Sequence, residues 1–331
     1  KAALDFGLPT SATALDTRID ALIRTGNLVR GSGAHSGWLT SHDAMASEQR
    51  ILAEVEAGRN AAPPILGSDE AARRVTAVAA LNHGIELNPG QEAAARLILS
   101  SAHRVIAIQG VAGAGKSSVL KPVSQLLGEE GKEVIGLAVQ NTLVQMLERD
   151  TGIRSQTLAG LLKTWAPLLE DPGNARLLEE GRKALSGRVL VLDEASMVGN
   201  HDKERLARLA NLTEVQRLVL IGDTRQLGAV DAGKPFELVQ KAGIERAEMT
   251  TNLRGRDPQL RRAQAAAQAG DVHKALGHLS KSILETAGDG AIVAAETWLA
   301  LPPQERERTA IYASGRALRS AANQAVQTGL V

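Results

Sequence analysis

The spacing of apolar residues changes character near residue 87. Upstream, apolar side chains recur as on one face of a helix; downstream, short β-branched runs alternate with helical stretches. Over 12–24, Leu15, Ile19, Leu22 and Ile23 share a helical face, and Gly26 closes the run. Val29-Arg30 and Trp38-Leu39-Thr40 flank a glycine-rich loop. Residues 1–45 are therefore expected to form a small helical or winged-helix-like unit, with an incidental hairpin as the plainer alternative. Helices are predicted over 43–56, with Ser41 as a cap, and over 68–81. Asn60-Ala61-Ala62-Pro63-Pro64 breaks the chain between them, so 46–85 reads as a helical linker region. Strands are then predicted at 105–108, 134–138, 189–192, 218–221 and 246–250, with helices between. This alternation predicts an α/β domain over 86–255: a parallel sheet with helices on both faces, binding its ligand at the carboxyl ends of the strands. A second α/β unit is expected over 256–331, from helices at 258–279, 290–300 and 315–328 and strands at 283–286 and 309–313. With two strands, it reads as the beginning of a domain.

The first of the central strands runs into Gln109-Gly110-Val111-Ala112-Gly113-Ala114-Gly115-Lys116-Ser117-Ser118, and a helical stretch follows. Gly110-x-x-x-x-Gly115-Lys116-Ser117 is the pattern of a nucleoside-triphosphate phosphate loop, and strand–loop–helix is the context that pattern needs. Its glycines leave room for backbone N–H groups to converge on phosphate, and the helix start adds its positive end. Gly110, Gly113, Ala114, Gly115, Lys116, Ser117 and Ser118 are the candidate nucleotide contacts, with Lys116 on the β- and γ-phosphates and the Ser117 hydroxyl on Mg²⁺. The alternative is a Gly/Ala-rich turn with no ligand. Val189-Leu190-Val191-Leu192-Asp193-Glu194 is an apolar strand ending in two acids. Asp193 is placed to hold Mg²⁺ and Glu194 to polarise an attacking water, although a solvated strand end would look the same in isolation. Leu220-Ile221-Gly222-Asp223 repeats that geometry on the next strand.

Composition narrows the picture little. There is no cysteine, which removes disulfides and Cys-based metal sites. Apolar runs are too short to span a bilayer and no signal-peptide pattern opens the chain, so a cytoplasmic location without membrane insertion is expected. The net charge of +1 means that a nucleic-acid groove would have to be local. Three Trp, two Phe and one Tyr are too few for an extended base-stacking platform. The first residue is Lys1, not Met, so the 331 residues are expected to be a piece of a longer protein.

Gly222-Asp223-Thr224-Arg225-Gln226-Leu227, following an Asp-Glu strand end, resembles motif III of superfamily 1 DNA helicases. Leu87-Asn88-Pro89-Gly90-Gln91 resembles their Q-motif, which implies that Gln91 contacts adenine; a helix cap is the rival role. Thr251-Asn252-Leu253-Arg254 resembles motif IV, which implies Arg254 as the arginine finger, with Arg256 as competitor. Gly228-Ala229-Val230-Asp231-Ala232-Gly233-Lys234-Pro235-Phe236 is similar to the 1B (RecD/TraI-like) branch found in conjugative relaxase-helicases of the TraI/TrwC type. The resemblance implies a P-loop NTPase with a RecA-like motor domain at 86–255 and a truncated second RecA-like domain from 256. It implies ATP and Mg²⁺ as cofactors and single-stranded DNA as partner, with other conjugation proteins as further partners, a monomeric state and 5′→3′ polarity. It also assigns γ-phosphate sensing to Gln226 and nucleotide-site duty to Asp223. DNA contacts fall on Gln140 and Asn141, where motif Ia would lie, and on Ser155, Gln156 and Thr157, where a capping turn would look alike. Motifs V and VI have no match before Val331, so this piece alone is expected not to unwind duplex. The alternatives are another P-loop ATPase, or a single-stranded DNA-binding module.

Overall fold

The computed structural model describes residues 11–33, 36–111, 113–226, 233–253, 257–286 and 288–330. The chain divides into two compact units, 1–255 and 256–331.

In the first unit, α1 (Ala12–Arg24) is capped by the Ser11 hydroxyl and followed by an antiparallel pair, β1 (Val29–Arg30) with β2 (Leu39–Thr40). Helices α2 (His42–Ala57) and α3 (Ser68–His83) come next, within a residue or two of their predicted limits. Then α4 (Pro89–Ser100) leads into β3 (Val105–Gly110) and α5 (Lys116–Glu129). After these come β4 (Val134–Ala138), α6 (Asn141–Thr151), β5 (Ser155–Thr157) and α7 (Leu158–Thr164). The short α8 (Ala166–Glu170) and α9 (Ala175–Leu185) precede β6 (Val189–Leu192), α10 (Asn200–Leu212) and β7 (Arg217–Gly222). The unit closes with α11 (Pro235–Lys241) and β8 (Arg246–Met249). The strands form a six-stranded parallel sheet in the order β5-β4-β6-β7-β3-β8.

Every residue of β3, β6 and β7 is buried, which is why these strands read as continuous apolar runs. Alternate side chains feed two cores. Ile106, Ile108, Val189, Val191, Val219 and Ile221 pack with α3, α4 and α5. Val105, Ala107, Leu190, Leu192, Leu218 and Leu220 face α7 and α10 and the buried Ile51 of α2. The helix after β3 therefore lies on one face and the helix after β6 on the other. Such a change of side opens a crevice at the carboxyl ends of the strands.

Two departures from the sequence reading are physical. Ser155, Gln156 and Thr157, read as DNA contacts with a capping turn as the rival and not as a strand, form an edge strand paired with β4. A Cβ on Gly136, opposite Ser155, would collide with the Ser155 hydroxyl, so the missing side chain admits the strand. In the second unit, the segments 283–286 and 309–313 carry no strand, and no strand is present among the described residues of 256–331. A parallel strand needs a neighbour to satisfy its backbone. Leu284 and Tyr312 are correspondingly exposed, at 74% and 95%. That unit consists of α12 (Pro258–Gln268), α13 (Val272–Leu279), α14 (Gly290–Leu299), α15 (Pro303–Arg306) and α16 (Arg316–Leu330). The single helix predicted over 258–279 breaks at Gly270, whose φ of 81° is left-handed, and Asp271 caps the next helix through the Lys274 N–H.

Candidate active site

The loop after β3 is shaped by glycine. Gly113 and Gly115 have φ of 77° and 76°, and Gly115 is the left-handed N-cap of α5. A Cβ on Gly115 would stand 2.5 Å from Gln91 Nε2 and 3.1 Å from Leu253 Cδ1, so any side chain there meets both strain and a clash. Gly110 lies beneath the aliphatic stem of Lys116, where a Cβ would sit 3.4 Å from Cε.

Lys116 is the first residue of α5, and its ammonium is 3.1 Å from Glu194 Oε1 and 4.0 Å from Asp193 Oδ1. β6 delivers both acids. Glu194 has φ 50° and ψ 43°, a left-handed backbone unusual for a residue with a side chain, and this turns its carboxylate back toward the lysine. Its backbone N–H donates to Asp193 Oδ1 at 2.9 Å. Burial pushes the Asp193 carboxyl above the usual carboxylate range; Lys116 opposes that rise and the Glu194 charge adds to it. The other Glu194 oxygen, Oε2, is buried with no hydrogen-bond partner.

These groups line an open cavity of about 670 Å³ together with Gly113, Ala114, Ser117, Ser118 and Gln226. Its far wall is helix α6, through Leu143, Met146 and Asp150. The phosphate loop, the acidic strand end and the glutamine after Asp223 are thus brought to one place. The Ser117 hydroxyl and the Asp193 carboxylate share that cavity and are hard oxygen donors of the kind magnesium takes. With positive-φ glycines and a lysine, the residues present fit a nucleoside triphosphate with its metal.

Two expected site residues, Gln91 and Asp223, sit differently. Gln91 is 1% exposed and takes the helix-capping role: its Oε1 accepts from the Asn88 N–H at 3.0 Å, its own N–H donates to Asn88 Oδ1 at 3.1 Å, and its Nε2 donates to Ala114 O at 3.1 Å. It braces the phosphate loop from behind. Gln91→Ala is expected to lower stability by roughly 2–4 kcal/mol, from a lost capping box and an unpaired buried carbonyl, read as a lower denaturation midpoint. An unchanged midpoint with lost preference for adenine over guanine nucleotides would restore the base-contact role. Asp223 is 4% exposed and does not line the cavity. Its Oδ1 accepts from Gln109 Nε2 at 2.7 Å and from the Arg225 N–H at 3.1 Å, while Gln109 Oε1 accepts from Gln240 Nε2 at 3.1 Å. Arg254 lies outside the described residues, as do Arg256 and Leu227. The chain just before Arg254 reaches the loop, where the Leu253 N–H donates to Gly113 O at 2.8 Å.

Of the expected DNA contacts, Gln140, Asn141 and Gln156 are exposed near the carboxyl ends of β4 and β5. Thr157 caps α7, accepting from the Gly160 N–H at 3.1 Å, and the Ser155 hydroxyl donates to Ile153 O. Sequence reasoning missed Gln109 and Gln240. The available signal was a polar residue at the end of the apolar strand Val105–Gly110.

The family described as AAA domain matches residues 86–284, which is more than half of the chain. The chain belongs to the AAA-domain family. Its match spans the phosphate loop, both acids of β6 and Gln226. The chain is 31% identical over 277 residues to the multifunctional conjugation protein TraI of Escherichia coli, covering 82% of this chain and 15% of that protein. It is 29% identical over 229 residues to a probable conjugal transfer protein TraA of Sinorhizobium fredii, covering 69% of this chain and 19% of that one. It is also 31% identical over 152 residues to the ATP-dependent RecD2 DNA helicase of Deinococcus radiodurans, covering 46% of this chain and 20% of the helicase. The chain thus spans a fifth or less of the length of these relatives. No helix among its described residues is long and apolar enough to cross a membrane.

Proposed function

We propose that this AAA domain is the ATP-hydrolysing motor region of a DNA helicase that works on single-stranded DNA in conjugative plasmid transfer, with 5′→3′ polarity. The observation that carries the reading is the meeting of Lys116, Asp193, Glu194 and Gln226 around one cavity at the carboxyl ends of parallel strands. Residues 86–255 act as the first motor domain, 256–331 as the beginning of the second, and 1–85 as a winged-helix-like unit with a helical linker. Lys116 and the Gly113–Gly115 backbone hold the triphosphate. Ser117 and Asp193 hold magnesium, which when bound neutralises charge developing on the phosphoryl oxygens. As the γ-phosphate draws Lys116 toward itself, the 3.1 Å pair with Glu194 loosens and leaves that carboxylate free to accept a proton from the attacking water. Gln226 registers the γ-phosphate, and Arg254 supplies a second positive charge. Gln140, Asn141 and Gln156, exposed at the same end of the sheet, carry the DNA backbone.

The test is the rate of ATP hydrolysis with and without single-stranded DNA, at saturating Mg²⁺. A rise of on the order of tenfold or more is expected, because steering by DNA is what separates a translocase from other P-loop enzymes. Hydrolysis that ignores DNA would favour a different P-loop ATPase; DNA binding without hydrolysis would favour a binding module.

A further inference from the structure

Lys203 lies on α10, on the face turned toward the core, and is 2% exposed. Its ammonium donates to the carbonyl of Ala195 at 2.8 Å and stands 5.8 Å from the centroid of the Phe236 ring. Carboxylates on the neighbouring elements are committed elsewhere: Glu204 to Arg50, Glu237 to Lys241, and Asp193 and Glu194 to Lys116. Burial, the sole cause, pulls the Lys203 pKa down to about 7. An amine buried without a carboxylate, charged or neutral, is a costly feature for a core that an apolar side chain of similar size could fill.

What the ammonium touches explains its presence. Ala195 directly follows Glu194, whose left-handed backbone aims its carboxylate at the cavity. The same turn is pressed against the end of β7: a Cβ on Gly222 would lie 2.9 Å from the Ser196 N, 3.3 Å from the Ala195 N and 3.0 Å from Phe236 Cε1. The Ala195 carbonyl otherwise receives one long bond, from the Val198 N–H at 3.4 Å. Lys203, which does not itself line the cavity, therefore supplies the short donor that fixes the Ala195–Ser196 peptide, one peptide beyond Glu194.

We propose that Lys203 is a positioning residue for hydrolysis: it locks the turn that orients Glu194, at the expense of fold stability. This rests on the hydrolytic role proposed for Glu194. The test compares wild type, Lys203→Met, Glu194→Gln and the double variant, by thermal melting, by binding of a fluorescent ATP analogue and by ATP turnover with single-stranded DNA. Lys203→Met keeps the volume and loses the donor. It is expected to melt higher, to bind the analogue within about threefold of wild type, and to lose on the order of tenfold or more in kcat, since small misplacements of a reacting group are that costly. In the Glu194→Gln background the same substitution is expected to add no further loss, because it acts through the missing carboxylate. Unchanged kcat in Lys203→Met overturns the inference, as does a lower melting temperature with proportionate loss of binding, or a full additional loss in the double variant. A wild-type chain that turns over no ATP overturns the hydrolytic reading and this inference together; normal wild-type turnover confines any failure to Lys203.

Discussion

Lys116→Ala is expected to lower ATP hydrolysis by roughly three orders of magnitude or more, because the lysine is the main fixed positive charge facing the transferring phosphoryl group. The side chain lines a cavity and packs over Gly110, so its removal opens no void in either core. It does remove the counter-charge of two acids. Asp193 is already held above the usual carboxylate range by burial and by the Glu194 charge, and Lys116 is the larger of the two restraints on the rise, the Glu194 N–H being the other. A carboxyl whose folded pKa is raised is unpenalised below its unfolded pKa and costs stability as pH climbs through the folded one. Lys116→Ala is therefore expected to lose stability relative to wild type as pH rises above the normal Asp range, and to match it more closely in acid. Turnover measured at saturating ATP, in the chain and in a longer protein that carries it, decides the catalytic part. Near-normal turnover would remove the phosphate-loop assignment.

Glu194→Gln is expected to separate chemistry from binding. Hydrolysis falls by on the order of 10²–10⁴, because an amide cannot accept the proton of the attacking water. Affinity for ATP holds or improves, since the substitution releases Lys116 from its 3.1 Å ion pair and leaves the ammonium free for phosphate. Equilibrium binding and single-turnover rates read the two effects separately. A variant that binds ATP poorly yet keeps its chemical rate would mean that Glu194 holds the nucleotide and another group activates the water.

The motor sheet and the phosphate site were legible because their signals are local and one-dimensional. β3, β6 and β7 are buried on both faces, so their stretches 105–108, 189–192 and 218–221 are unbroken apolar runs. A phosphate loop needs Gly115 where Gln91 and Leu253 leave no room for a side chain, and that requirement is written in the sequence itself. Roles that depend on a neighbour across the fold were not legible. Nothing near Gln91 in sequence announces that Ala114 O lies 3.1 Å from its amide, and nothing near Asp223 announces Gln109 and Gln240. Ser155–Thr157 is too polar to read as a strand without β4 beside it. The opposite error came at 283–286 and 309–313, where the β-branched pattern was correct for strands but the described residues of that unit offer no ladder to join.

The buried chain from Gln240 through Gln109 to Asp223 ties α11, β3 and β7 into one block. Sliding β3 against β7 would break an amide–carboxylate bond in a dry interior, where each orphaned group costs about 1–3 kcal/mol. The strand that ends in the phosphate loop and the strand that leads to Gln226 are thereby given a common chassis. Movement of the side chains that line the cavity is thus less readily absorbed by shear between these two strands. What is left free to respond to a ligand is what stands above the strand ends, the side chains of Lys116, Glu194 and Gln226, while the floor beneath them is braced.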